Sequence, residues 1–283
     1  MPVIRHRTIR VSGANVFVRE AGEPARPALV LLHGFPSSSR QYVRLIDRLA
    51  EHWHVVAPDY PGFGLSDPLP DSPTFDRLAE ITASAIDTLG IDEYAMYAFD
   101  FGAPVGFRVA LAHDLRVRAV VSQNANAYTD GLGPAVTALA NWWADKQVGQ
   151  PTIDAFVTLE GTKTQWLAGA RDPEHVDPSQ YLADQAILDL PGRAQYMKDL
   201  FWDYQYTVPR YQEFHSWLRS RAPKVLAIWG RNDPFFIPAG AHAYRADVPD
   251  AEVVLLDTGH FALEEEVDTI AAAVDTFLSK HLG

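Results

Sequence analysis

The sequence predicts an α/β fold. Short apolar runs of strand length alternate with stretches whose apolar residues recur at helical spacing. That alternation breaks once, over residues 129–217, where strand-like runs disappear and aromatic-rich helical stretches take over. The composition, 47% hydrophobic and 21% charged over 283 residues, is ordinary for a globular chain with a large core.

In chain order, residues 8–11 and 15–18 are β-prone runs separated by Ser-Gly-Ala and read as a hairpin. The run 28–32 (ALVLL) reads as a buried strand that leads into His33-Gly34-Phe35-Pro36. A helix over 39–51 follows, with Tyr42, Leu45, Ile46 and Leu49 on one stripe and Ser39 as its cap. The strand 53–57 runs into the Gly-rich loop 58–67. Gly62-x-Gly64 there lacks the third glycine of a dinucleotide fingerprint. The helix over 74–89 carries Phe75, Leu78, Ile81, Ala85 and Leu89 on one side. Strands then fall at 94–99, 117–122, 224–229 and 252–256, and a helix over 262–278 closes the chain.

Between the strand 94–99 and the helix that follows stands one charged residue, Asp100, with Ala98 two before it and Gly102 two after. Small neighbours at those positions are the steric requirement of a nucleophile elbow, a turn too tight for larger side chains. On this stretch alone, an Asp capping a helix is the other reading. An Asp at such a centre implies a change of chemistry. Attack by a carboxylate on a saturated carbon leaves an ester, whose carbonyl activated water can cleave, whereas a Ser would leave an ether.

These residues resemble the α/β-hydrolase branch with a carboxylate nucleophile, the epoxide hydrolases and haloalkane dehalogenases. HGFP (33–36) resembles the oxyanion-hole loop of that family, which implies the backbone N–H groups of Phe35 and Phe101 as the oxyanion hole. PDYPGFGLSD (58–67) is similar to its D-x-P-G-x-G-x-S loop. Some dehalogenases carry their acid at 123–128, where this chain has only amides and Tyr128. Asp233, in GRNDP after the strand 224–229, occupies the family's other acid position, and Gly259-His260-Phe261 matches its His loop. Nucleophile, acid, His is the family's chain order. The resemblance implies a mostly parallel sheet of eight strands flanked by helices, with core segments 1–128 and 218–283 and a helical cap over 129–217.

The resemblance leads to a cofactor-independent hydrolase with Asp100 as nucleophile and His260, oriented by Asp233, as base. An epoxide oxygen leaves as an alkoxide and wants a proton, for which Tyr204 is the expected donor, with Tyr206 and Tyr211 as rivals. Tyr206, Trp142 and Trp143 are expected at the substrate, the last two as N–H donors. The aromatic cap suggests a bulky, flat, apolar epoxide. A dehalogenase is the alternative, although Phe101 stands where haloalkane dehalogenases commonly place Trp and fluoroacetate dehalogenases Arg. A non-catalytic binding protein on the same fold is the third reading.

The net charge of −12 argues against nucleic acid or an anionic membrane as partner. The absence of Cys excludes disulfides and Cys-ligated metals, and no HExxH-type spacing marks a metal site. The start MPVIRHRTIR has no apolar h-region, and no run reaches membrane length, so a cytoplasmic location is expected. The sequence leaves the oligomeric state open, a homodimer included.

Overall fold

The computed structural model describes residues 3–282; Met1 and Pro2 of the stretch MPVIRHRTIR, and Gly283, lie outside the described residues. The expected hairpin forms as β1 (Arg5–Val11) and β2 (Ala14–Ala21). The other runs form β3 (Ala28–Leu32), β4 (His54–Pro58), β5 (Tyr94–Phe99), β6 (Val117–Gln123), β7 (Lys224–Gly230) and β8 (Glu252–Leu256). All eight make one sheet in the order β1-β2-β4-β3-β5-β6-β7-β8. The β1–β2 and β2–β4 pairings are antiparallel, and every pairing from β4 to β8 is parallel.

Every residue of β3, β4 and β5 is buried, as expected of parallel strands covered on both faces. The period-two alternation of a strand divides them between two cores. Val30 and Leu32 pack in one layer with Phe75, Leu78 and Phe107, while Leu29 and Leu31 pack in the other with Leu45, Ile270 and Phe277. The helices supplying these layers are α1 (Val43–Leu49), α2 (Phe75–Thr88), α3 (Gly102–Ala112) and, at the chain's end, Leu263–Leu282. Thr74 caps α2 by accepting from the Arg77 N–H at 3.1 Å. Ahead of α1, Ser38 rather than the expected Ser39 is the cap, and it opens a 3₁₀ turn. The Ser39 hydroxyl instead donates to the buried Asp59 carboxylate, and its oxygen accepts from the Arg19 guanidinium rather than from a backbone N–H.

Between β6 and β7 the chain builds six α-helices and, among the described residues, no strand. These are α4 (Pro134–Ala144), α5 (Lys146–Phe156), α6 (Leu159–Leu167), α7 (Pro178–Leu188), α8 (Arg193–Asp203) and α9 (Tyr211–Arg221). Position 217 lies inside α9, and Phe214 of that helix stacks on Phe107 of α3 with ring centroids 5.1 Å apart. Among the described residues, no helix is long and apolar enough to cross a membrane.

Candidate active site

β5 delivers Asp100 at the C-terminal edge of the sheet, and α3 begins two residues later. Asp100 has φ of 50°, in the left-handed region that a non-glycine residue enters at a cost of about 1–3 kcal/mol. The turn is tight on both sides. A Cβ on Gly102 would sit 2.2 Å from the Leu32 carbonyl oxygen, and one on Gly34 would sit 2.3 Å from Asp100 Oδ1. Both positions therefore admit glycine alone, and the gap left by Gly34 is what the Asp100 carboxylate occupies.

The Phe35 N–H donates to Asp100 Oδ1 at 2.6 Å, and the Phe101 N–H also bonds this carboxylate. Burial nevertheless dominates and pushes the Asp100 carboxyl up to about 6, against the lowering effect of His260 and the two N–H groups. The loop supplying Phe35 is held by His33. The Tyr60 N–H donates to His33 Nε2 at 3.0 Å, so the ring proton lies on Nδ1, which faces the Gly34 carbonyl at 3.1 Å. Burial drives His33 down to about 4 and keeps it neutral, a structural pin.

His260 follows β8, and its Nε2 lies 3.8 Å from Asp100 Oδ2. Its Nδ1–H donates to Asp233 Oδ2 at 2.7 Å. Burial alone would hold the imidazole down; the charge and hydrogen bond of Asp233, with Asp100, outweigh it and hold His260 above its ordinary value. Asp233 is itself fully bonded. Its Oδ1 accepts from the N–H groups of Phe235 (2.7 Å) and Phe236 (3.2 Å), and its Oδ2 accepts from Asn124 Nδ2 at 2.8 Å. Asn124 sits at the end of β6, with φ of 46°, where sequence reading found only amides. Its side chain braces the acid on the neighbouring strand, a link that one sequence carries no signal for.

A narrow cavity of about 30 Å³ opens over Asp100. Phe35, Phe101, Phe156 and Phe201 form much of its wall, and Tyr204 and Gln165 add polar groups. The bulky aromatic substrate expected from the aromatic-rich segment finds no preformed space here. The aromatics that suggested it fill the volume by packing on one another, Phe201 against Phe35 at 4.7 Å and against Phe101 at 5.4 Å.

Of the expected substrate contacts, Tyr204 alone lines the cavity. Its hydroxyl lies 3.4 Å from that of Tyr211, behind it, and burial raises its pKa well above the ordinary phenol value. Tyr206 does not reach the site and is 57% exposed. Both tyrosines sit in one 3₁₀ turn, where residues two apart project in different directions. Trp142 and Trp143 also lie outside the lining. The Trp142 N–H is bonded to Gln150 and the Trp143 N–H to the Phe201 carbonyl, so neither donor is free for a ligand. Gln165, on α6, was not singled out by sequence reading; a Gln in a helical stretch carries no mark that separates it from a solvated one.

A family profile described as alpha/beta hydrolase fold matches residues 27–267. The chain is 39% identical to an uncharacterized hydrolase of Saccharomyces cerevisiae over 99% of both chains. It is 29% identical to haloalkane dehalogenase 2 of Mycobacterium tuberculosis over 89% of this chain and 88% of that one. Its identity to epoxide hydrolase A of the same species is 33%, over 47% of this chain and 42% of that one. In three dimensions it is similar to the 2-hydroxy-6-oxo-6-phenylhexa-2,4-dienoate hydrolase of Rhodococcus sp. strain RHA1, with a TM-score of 0.81 at 19% identity over 99% of this chain and 100% of that one.

Proposed function

The chain belongs to the α/β-hydrolase fold family, and from that premise we propose that it opens compact epoxides to diols through an ester on Asp100. The observation that carries this reading is the single line of groups from Asp233 through His260 to an Asp100 carboxylate that also accepts two backbone N–H bonds. An Asp Oδ attacks a ring carbon, the C–O bond of the ring breaks, and the oxygen takes the Tyr204 proton. His260 Nε2 then removes a proton from water, whose oxygen adds to the ester carbonyl. The charge that develops on the carbonyl oxygen falls on the N–H groups of Phe35 and Phe101. Collapse releases the diol, whose leaving oxygen takes the proton from His260, and leaves Asp100 with one oxygen and the second proton from water; that proton passes to the Tyr204 phenolate, which restores both groups. Asp233 keeps the imidazole in the tautomer this requires.

The similarity to a haloalkane dehalogenase over 89% of the chain favours a second reading, halide displacement by the same ester route. Against it, a halide needs N–H donors, and both indoles expected to provide them are bonded to protein. A panel of methyl glycidyl ether, styrene oxide and 1-chlorobutane, with diol and halide both measured, separates the two. The expected result is diol from the glycidyl ether, less from styrene oxide and no halide; halide as the main product overturns the epoxide reading. Tyr204→Phe is expected to lower diol formation about 10²-fold or more, and full retention of the rate would remove Tyr204 as the proton donor.

A further inference from the structure

One polar residue lining the cavity over Asp100 has no part in the proposed chemistry. Gln165 is 5% exposed, lines the cavity, and its Nε2 has no hydrogen-bond partner among the described residues. Other buried side-chain nitrogens and oxygens lack partners too, among them Gln41 Nε2 and Tyr60 Oη, but Gln165 is the one that lines this cavity. A buried amide N–H without a partner is uncommon and calls for an acceptor. The helix that carries Gln165 is anchored. The next residue on α6, Trp166, stacks on Phe261 at 3.8 Å and donates its N–H to Asp184 Oδ2 at 3.0 Å.

We infer that Gln165 is a substrate-binding residue whose Nε2–H takes a second oxygen acceptor on the substrate, away from the epoxide ring. In an otherwise apolar pocket, a few placed polar groups fix orientation and specificity. Here the polar lining side chains are Asp100, Gln165 and Tyr204. Asp100 attacks carbon, and Tyr204 is assigned to the ring oxygen. With the ring oxygen assigned to Tyr204, Gln165 has a partner if the substrate carries a second polar atom. The substrate class is therefore a small oxygenated epoxide, such as a short glycidyl ether, rather than a hydrocarbon epoxide. The substrate class rests on the proposed epoxide chemistry; the hydrogen bond from Gln165 does not.

Methyl glycidyl ether and 1,2-epoxypentane have the same shape and differ by one ether oxygen in place of a methylene. An ether oxygen only accepts, so this pair reads the N–H alone. Wild type is expected to favour the ether about tenfold in kcat/KM, and Gln165→Met, similar in size and without the amide, to reduce that ratio to about one while still turning over 1,2-epoxypentane. A ratio is insensitive to a general loss of folded enzyme, and Gln165→Leu provides a second apolar variant. Calorimetric binding of the matching diols, 3-methoxypropane-1,2-diol and pentane-1,2-diol, repeats the comparison without turnover. If neither epoxide is consumed but the methoxy diol binds better and Gln165→Met abolishes that preference, the epoxide reading fails and the role of Gln165 stands. An ether preference that survives in both variants, or is missing from wild type in both measurements, overturns the inference.

Discussion

At the scale of residues, the site is a set of opposed pKa values. Asp100 is pushed up to about 6 by burial, and His260 is held above 6.5 because Asp233 and Asp100 outweigh its burial. In the proposed route, ester formation needs the Asp100 carboxylate and ester hydrolysis needs neutral His260. As pH falls, the His260 step is lost first and the Asp100 step second. Quenched mass spectra of turning-over enzyme are therefore expected to show more ester at pH 6.5 than at pH 8.5, with ester formation itself failing below about 6. An ester fraction that is unchanged or smaller at the lower pH contradicts the assignment. The placement of Asp100, Asp233 and His260 beyond strand ends was legible in the sequence, because each follows an apolar run and stands within two residues of a small or turn-forming one. Gln165 and Asn124 were not, since each acts through a contact more than one element away. Tyr206 was misplaced because sequence spacing does not reveal the projection of side chains from a 3₁₀ turn.

At the scale of elements, the strand runs were legible almost to the residue, because fully buried strands are continuous apolar runs flanked by turns. The helices over the site read less clearly. α6 has apolar residues at few positions, and what seats it is Trp166, sandwiched between Phe261 and the Asp184 carboxyl. Trp166→Ala is expected to cost about 3–5 kcal/mol of stability, since it leaves a large hole and takes one hydrogen bond from a buried carboxyl. Urea denaturation measures this, and a loss under about 1 kcal/mol would show that α6 is seated by something else. The variant is also expected to lose the ether preference assigned to Gln165, because the same helix carries it.

For the whole molecule, the buried Asp100 carboxylate is a stability cost. The folded pKa of Asp100 lies above its ordinary 3.8, so the folded state penalises the ionised form. The penalty is absent below about 3.8, grows between there and about 6, and is full above that. Asp100→Asn keeps an oxygen for the Phe35 and Phe101 N–H groups without the charge. It is expected to stabilise the chain by about 1–3 kcal/mol at pH 8 and by little at pH 4. Equal stability changes at the two pH values would show that ionisation is not the cause. The eight-stranded, mostly parallel sheet agrees with the expectation from sequence. The size of the cavity does not, because a list of aromatic residues does not say whether they line space or fill it.

The central claim is that Asp100 becomes esterified and His260 frees it. The most direct measurement is the intact mass of His260→Gln mixed with methyl glycidyl ether. The variant should gain the mass of one substrate and keep it, with the modification mapped by peptide analysis to Asp100, while Asp100→Asn should gain nothing. An unmodified His260→Gln protein, together with ¹⁸O in the first-turnover diol of wild type in H₂¹⁸O, would contradict the claim and make Asp100 a base that activates water.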